Sequence, residues 1–300
     1  MPTRDRIDGT GALALVAFSA LLAFNQVVIA VVNEGLQPVF FAGLRSLGSL
    51  VCLVLWFRFR RRPLGLSLAD WRAGLLIGLA FAVEFICLFV ALDLTTLTRV
   101  SVLFYTMPLF LAVMSHFWIP GDRLTPIRTT GLLVAFSGVV IAIVWRGAGA
   151  VGEASFMGDV LALVASFSWA LIAFIARTGL SHVAPDRQLV WQVAVSAVVL
   201  LAVAPFFGEF VRDLEPIHFW GVGFQIVVVA FAGYAFWLWL LTIYPASSVA
   251  AFSFLTPIFG VLFGWAILDE PLGSPIVVAL GLVCLGLLLL NARPQVPQKV

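Results

Sequence analysis

Ser253-Phe254-Leu255-Thr256-Pro257 lies in the middle of the apolar run 247–267, and Asp269-Glu270-Pro271 follows that run. An echo occurs earlier in the chain. Tyr105-Thr106-Met107-Pro108 lies in the apolar run 101–119, which leads into the acidic turn Gly121-Asp122-Arg123. A proline in mid-helix removes a backbone donor and crowds the preceding turn. In lipid, the freed carbonyls have to be met by neighbouring helices, hydroxyls or a water-lined cavity. Two such helices at equivalent places predict two copies of one helical unit facing each other across a shared central cavity.

Composition identifies the solvent. Hydrophobic residues make up 62% of the chain and charged residues 11%, and the mean hydropathy of +1.11 exceeds what a water-exposed surface tolerates. The class is therefore an all-α integral membrane protein, and membrane lipid is its surroundings. A net charge of +2 with Lys299 as the single lysine leaves no clustered basic face, which excludes nucleic acid as a partner. Cys52, Cys87 and Cys284 lie inside apolar runs without metal-type spacing and read as small core residues. Arg4 and Arg6 precede the first apolar stretch, as in a signal sequence. That stretch is too long for a signal core and includes Asn25-Gln26, so it reads as an uncleaved first span.

Runs of spanning length fall at 11–32, 38–57, 71–92, 101–119 and 127–145, and again at 158–175, 189–207, 219–241, 247–267 and 274–290. Ten transmembrane helices are expected. With a cytoplasmic N-terminus, the cytoplasmic side collects Arg4, Arg6, Arg58, Arg60, Arg61, Arg62, Arg72, Arg123, Arg128, Arg177, Arg187, Arg293 and Lys299. The other side keeps Arg99, Arg146 and Arg212, a bias that predicts both termini in the cytoplasm and a multi-pass protein of the inner (plasma) membrane. The halves also match in spacing: Gly11 with Gly158 at an offset of 147, Asp122 with Glu270 and Gly138 with Gly286 at 148, Pro108 with Pro257 at 149. These matches divide the chain into two five-helix repeats, 11–145 and 158–291. Five is odd, so the second copy enters the membrane inverted, as in many transporters with a midplane site.

Ten spans in two halves, the run Gly158-Asp-Val-Leu-Ala-Leu-Val-Ala-Ser-Phe-Ser-Trp169-Ala, and Thr256-Pro257 with Asp269-Glu270-Pro271-Leu272 resemble the EamA-type drug/metabolite transporters. Within that superfamily the chain is most similar to bacterial amino-acid exporters, the aromatic amino-acid exporters in particular. The resemblance implies a basket of helices, with four from each half around a cavity and the fifth of each half packed outside.

Polar groups within spans are informative, because a charge at mid-bilayer costs about 2.5–3.5 kcal/mol even on the lenient insertion scale. Two charges stand out, Arg45 in the second span and Glu84 in the third. Glu84 has two open readings: a proton-coupling or substrate-binding carboxylate, or a structural acid paired with Arg45. Arg45 either holds helices or a gate, or binds a substrate carboxylate. Asn25 and Gln26 offer hydrogen bonds without ionisation, to substrate or between helices. Tyr105 and Thr106 before Pro108, and Ser253 and Thr256 before Pro257, either face the cavity or bond back to freed carbonyls. Trp169 and Tyr234 lie inside spans at positions matching the family pattern, where aromatic walls suit an amphipathic solute. Gly74-x-x-x-Gly78 and Gly260-x-x-x-Gly264 admit close helix approach or a sliding surface, and Asp269-Glu270 is expected to cap the helix starting near Pro271.

No phosphate-binding glycine loop with lysine occurs, and His116, His182 and His218 have no zinc or triad context. Neither a catalytic residue, a metal nor a cofactor is expected. The reading is a secondary transporter exporting small organic solutes, amino acids including aromatic ones, by alternating access. Substrate contacts are assigned to Asn25, Glu84, Tyr105, Trp169, Tyr234 and Ser253, and gating or structural roles to Arg45, Pro108 and Pro257. One chain supplies both halves, so a monomer can suffice. The alternatives are a permease of other substrate or direction and a non-transporting sensor or assembly subunit.

Overall fold

The computed structural model describes residues 9–62, 64, 68–119, 123–145, 155–244 and 252–290. These are helical almost throughout: α1 (Gly9–Gly35), α2 (Pro38–Phe59), α3 (Trp71–Leu94), α4 (Leu97–Phe104), α5 (Met107–Trp118), α6 (Pro126–Val144), α7 (Phe156–Thr178) and α8 (Pro185–Val203), followed by α9 (Pro216–Phe224), α10 (Tyr234–Ile243), α11 (Leu255–Ile267) and α12 (Ser274–Leu290). A π-helix, Gln225–Gly233, joins α9 to α10. Among the described residues, eight helical segments are long and apolar enough to cross a membrane, with α4 and α5 together making one of them; α11 and α12 are shorter apolar helices. Leu13, Phe136, Val198 and Trp220 are exposed on the flanks, a surface that suits lipid rather than water.

Helix starts follow local chemistry. Proline stands in the first turn of α2, α6, α8 and α9, where its missing N–H is no loss. The side chains of Thr96, Thr125 and Ser155 accept from the backbone N–H of Arg99, Arg128 and Met157. The two motif prolines obey the same rule, which corrects the expectation of proline in mid-helix. The helix ends at Phe104, the chain turns through Tyr105-Thr106, and α5 begins at Met107 with Pro108 in its first turn. The Thr106 hydroxyl donates to the Leu103 carbonyl at 2.6 Å and lies 3.1 Å from Ser166 Oγ on α7. Pro257 lies in the first turn of α11, after the 3-10 turn Phe252–Phe254. There Ser19 Oγ on α1 donates to the Phe252 carbonyl at 3.3 Å.

Helix α3 lies at the centre, against α1, α2, α4, α7 and α8; α1 packs on α11, and α2 on α8. The helices α6 and α12 pair along their length. A Cβ on Gly131 would come within 2.7 Å of the Gly286 carbonyl, and one on Gly138 within 2.7 Å of the Ala279 carbonyl, so backbones touch there. Gly74 and Gly78 of α3 meet Trp191 and Val195 of α8, while Gly260 and Gly264 of α11 meet Ser101 and Thr98 of α4. These small residues serve close helix approach. Gly158 packs on Thr95, and Gly11 on Tyr244.

The bundle has two ends. Residues 35–37, 93–99, 155–159, 210–215 and 268–270 meet at one, here called the upper end. At the lower end Asp70 meets His182 and Arg62 meets Asp186.

Candidate functional site

Depth along the helices can be counted from their upper ends at about 1.5 Å per residue. Glu84, ten residues before the end of α3, and Asn25, ten before the end of α1, are then about 15 Å down. Gln225, nine residues after the start of α9, is at about 13.5 Å. Half of a hydrocarbon core is about 15 Å, so these polar side chains share the middle layer.

Glu84 is 5% exposed and its Oε2 has no hydrogen-bond partner among the described residues. Its carboxylate attracts the Arg45 guanidinium through space, and the Tyr105 hydroxyl lies in its field. Arg45 Cζ sits 4.4 Å above the Phe85 ring, and Arg45 Nε has no hydrogen-bond partner among the described residues. Phe104 stacks on Trp169 with centroids 5.0 Å apart, and Tyr105 meets Trp169 edge-on at 5.9 Å. Phe81 and Phe85 extend the wall at 4.2 Å. An acid, a guanidinium, a phenol and an indole thus converge, a combination that matches an ammonium, a carboxylate and an apolar ring.

The other named residues are elsewhere. Asn25 adjoins α9, where Gln225 Nε2 donates to the Asn25 carbonyl at 3.0 Å. Tyr234 packs with Leu53, Phe57, Leu189, Val190 and Val193, a separate cluster. The side chain of Ser253 lies outside the described residues. Gln26 accepts from Ser101 Oγ at 2.8 Å, bridging α1 and α4.

The upper end carries charges that sequence reading misplaced. Arg99, assigned to a loop, is 8% exposed in α4, and Asp159 of α7 is fully buried. Arg99 Nε and Nη2 donate to Asp159 at 3.0 and 2.6 Å, Nη2 also donates to the Ala142 carbonyl, and Thr95 Oγ1 donates to Asp159 at 3.2 Å. Glu270 does not cap the helix after Pro271. Asp269 adopts a left-handed conformation (φ 53°) that turns Glu270 back onto α4, where its carboxylate accepts from the backbone N–H of Leu97 and Thr98. Only glycine at 264 leaves room, because a Cβ there would lie 2.7 Å from Glu270 Oε2. Arg212 makes two hydrogen bonds to Asp93 at 2.6 and 2.9 Å, which raise its already high pKa.

Among the described residues, exposed ion pairs tie the lower end. His182 and Arg62 are 64% and 63% exposed in their ion pairs, and such surface pairs contribute about 0–1 kcal/mol. A cavity of about 160 Å³ opens between Pro108, Ser115, Leu124, Arg128 and Arg177.

Arg99 escapes a reading by apolar runs because the run begins at Ser101, four residues after the helix starts at Leu97. Gln225, a lone amide in a long apolar run, was readable but passed over. Nothing local in the sequence signals the reach of Glu270 across the chain.

Comparison with known proteins agrees with this architecture. A solved crystal structure of another protein superposes with a TM-score of 0.64 at 19% identity, covering 93% of this chain and 96% of its own, which shows a shared fold. The uncharacterized transporter YoaV of Bacillus subtilis is 24% identical, covering 92% of this chain and 94% of its own length. A probable amino-acid metabolite efflux pump of Escherichia coli is 27% identical and covers 89% of each. The profile of the EamA-like transporter family matches twice, over residues 9–144 and 156–292, and so the chain belongs to the EamA-like transporter family.

Proposed function

We propose that this chain is a secondary carrier that exports small organic solutes, amino acids including aromatic ones, through alternating access of two inverted five-helix halves, 11–145 and 158–291. The observation that carries the reading is the mid-depth convergence of Glu84, Arg45, Tyr105 and Trp169 in a mostly apolar bundle. Charged groups at that depth are costly enough to imply use. The printed name of the Escherichia coli relative favours amino acids.

Inversion is supported by contacts that map onto each other when the halves are exchanged. Gly131 on Gly286 has its counterpart in Gly138 on Ala279, and Gly158 on Thr95 in Gly11 on Tyr244. Ser19 at the Phe252 carbonyl corresponds to Ser166 beside Thr106, which bonds the Leu103 carbonyl. Among the described residues, a buried ion pair at the upper end stands against exposed ones at the lower end, a contrast that supports alternating access. Arg58, Arg60, Arg61, Arg62, Arg177 and Arg187 at the lower end favour a cytoplasmic lower face in the inner membrane, with both termini on that side. Substrate contacts are assigned to Glu84, Tyr105 and Trp169 directly, with Asn25 as further lining, while Tyr234 keeps to its own cluster. Arg45, Pro108 and Pro257 take positioning and hinge roles, and a monomer suffices.

The test is counterflow of radiolabelled phenylalanine, tryptophan and threonine into proteoliposomes of the pure protein, with and without a pH gradient. Saturable counterflow is the expected result. Acceleration by the gradient that disappears in Glu84→Gln makes Glu84 the coupling group, whereas indifference to the gradient makes the carrier a facilitator. No flux of any amino acid overturns the substrate assignment.

A further inference from the structure

Gln225 is fully buried at about the middle of the bundle, at the junction where α9 gives way to nine residues of π-helix. Long π segments are rare and concentrate at functional sites, because the wider turn leaves backbone groups with poorer internal partners. The orientation of this amide is fixed by its neighbour. Its nitrogen donates to the Asn25 backbone carbonyl at 3.0 Å, and a carbonyl can only accept. Gln225 Oε1 is therefore the free end, and it has no partner among the described residues. Asn25 Oδ1 is likewise inaccessible to solvent and unpartnered. Phe24 and Phe224, one residue before each, meet edge-on at 5.7 Å and close the lipid side of this contact.

Two buried amide oxygens, on helices joined by the Gln225–Asn25 hydrogen bond and each without a donor among the described residues, form a costly arrangement for a purely structural contact. Each unsatisfied acceptor carries its own desolvation penalty, which leucine or methionine at the same place would avoid. The chemistry that satisfies a pair of oxygens in an apolar layer is a compact cationic donor.

We infer that Gln225 Oε1 and Asn25 Oδ1 form a subsite for a primary ammonium group on the transported solute, which makes Gln225 a specificity-determining residue. The inference deepens, and rests on, the reading of the chain as a carrier of amino-type solutes. It separates the recognition of the amine from Glu84, so Glu84 is left free for coupling or for positioning Arg45.

The experiment compares wild type with Gln225→Met, a variant of similar length and no amide, and with Asn25→Ala. Counterflow of phenylalanine, phenethylamine and 3-phenylpropionate is measured in proteoliposomes, alongside thermal unfolding of the detergent-solubilised chain with and without phenethylamine. Wild type is expected to carry the two amines in preference to 3-phenylpropionate. Either substitution is expected to raise the half-saturation concentration of the amines by about ten- to a hundredfold, the scale of a hydrogen bond to a charged group. The half-saturation concentration of 3-phenylpropionate stays unchanged, and thermal stability without ligand is kept or increased. Unchanged discrimination with a lowered unfolding temperature makes Gln225 a structural tie and overturns the inference, while leaving the carrier reading intact. If nothing is transported but phenethylamine stabilises wild type and not Gln225→Met, the subsite stands and the amino-acid reading falls. If phenethylamine neither moves nor stabilises wild type, the subsite is refuted. Amine flux in wild type that depends on sodium, with the dependence lost in Gln225→Met, assigns the oxygens to an ion instead and overturns it too.

Discussion

Removing one partner of the Arg99–Asp159 pair should be among the most damaging single changes in the upper half of the bundle. The Asp159 side chain is fully buried and that of Arg99 is 10% exposed. In Asp159→Leu the guanidinium keeps the Ala142 carbonyl but loses both bonds to the carboxylate, at 3.0 and 2.6 Å. In Arg99→Met the carboxylate keeps the Thr95 hydroxyl and loses its counter-charge. Stranding one member of a buried pair costs about 3–5 kcal/mol, whereas replacing both by apolar groups of similar volume is often neutral or stabilising. Each single variant is therefore expected to lose about 3–5 kcal/mol, and the double variant Arg99→Met with Asp159→Leu to lie within about 1 kcal/mol of wild type. The assay is equilibrium unfolding in mixed micelles followed by tryptophan fluorescence, analysed as a double-mutant cycle. Single variants that lose under about 1 kcal/mol, or losses that simply add in the double, would refute the reasoning.

Glu270→Ala leaves the amides of Leu97 and Thr98 without their acceptor and removes a negative charge from the start of α4, a loss of about 1–2 kcal/mol. Under alternating access it should raise labelling of a cysteine at Ser101, which is fully buried beneath that contact, by a water-soluble maleimide added from the upper side; equal labelling in both backgrounds counts against a gating contact. Gly286→Leu places a side chain where even a Cβ would lie 2.5 Å from both the Ala135 Cβ and the Gly131 carbonyl. Overpacking of that kind costs about 1–3 kcal/mol or more, so the variant should unfold earlier in the same micelle assay, while Gly281→Leu, with open space around its Cβ position, should not.

The all-helical class and eight segments of spanning length were legible because apolar length is a property local in the chain, whereas the ten spans expected were not all matched in length and the motif prolines were read as mid-helix. Glu84 and Arg45 were legible for a related reason, since a charge inside an apolar run stands out against its neighbours. What failed to show was pairing across distance. Glu270 caps a helix more than 170 residues away, and no rule of local capping leads there. Arg99 read as a loop charge because nothing nearby announces that Asp159 will neutralise it. Tyr234 matched a family pattern yet packs in a cluster apart from Trp169, since a pattern fixes the helix and not the neighbour. The π-helix is a tertiary outcome as well. Gln225-Ile-Val-Val-Val-Ala-Phe-Ala-Gly233 contains no breaker before Gly233, and its partner across the contact is a carbonyl of α1.

The strengths of the upper-end contacts are graded in a way that bears on a rocking carrier. Arg99–Asp159 is buried with further partners in Thr95 and Ala142, so separating it in every cycle would strand charge at a cost comparable to much of a domain's net stability. The Glu270 contact differs, since its carboxylate is half-buried and water can replace it at both backbone amides once it leaves. If the upper end opens, the cheaper break is therefore between α11 and α4, with α4 kept on α7 by the Arg99–Asp159 pair. The turn at Tyr105-Thr106 lies just below that segment, where the Leu103 carbonyl accepts from both the hydroxyl and the backbone N–H of Thr106, at 2.6 and 3.3 Å. A bend there strains one long turn bond, from the Thr106 N–H to the Leu103 carbonyl at 3.3 Å, instead of the ladder of a continuous helix, which is the physical advantage of placing Pro108 at a helix start.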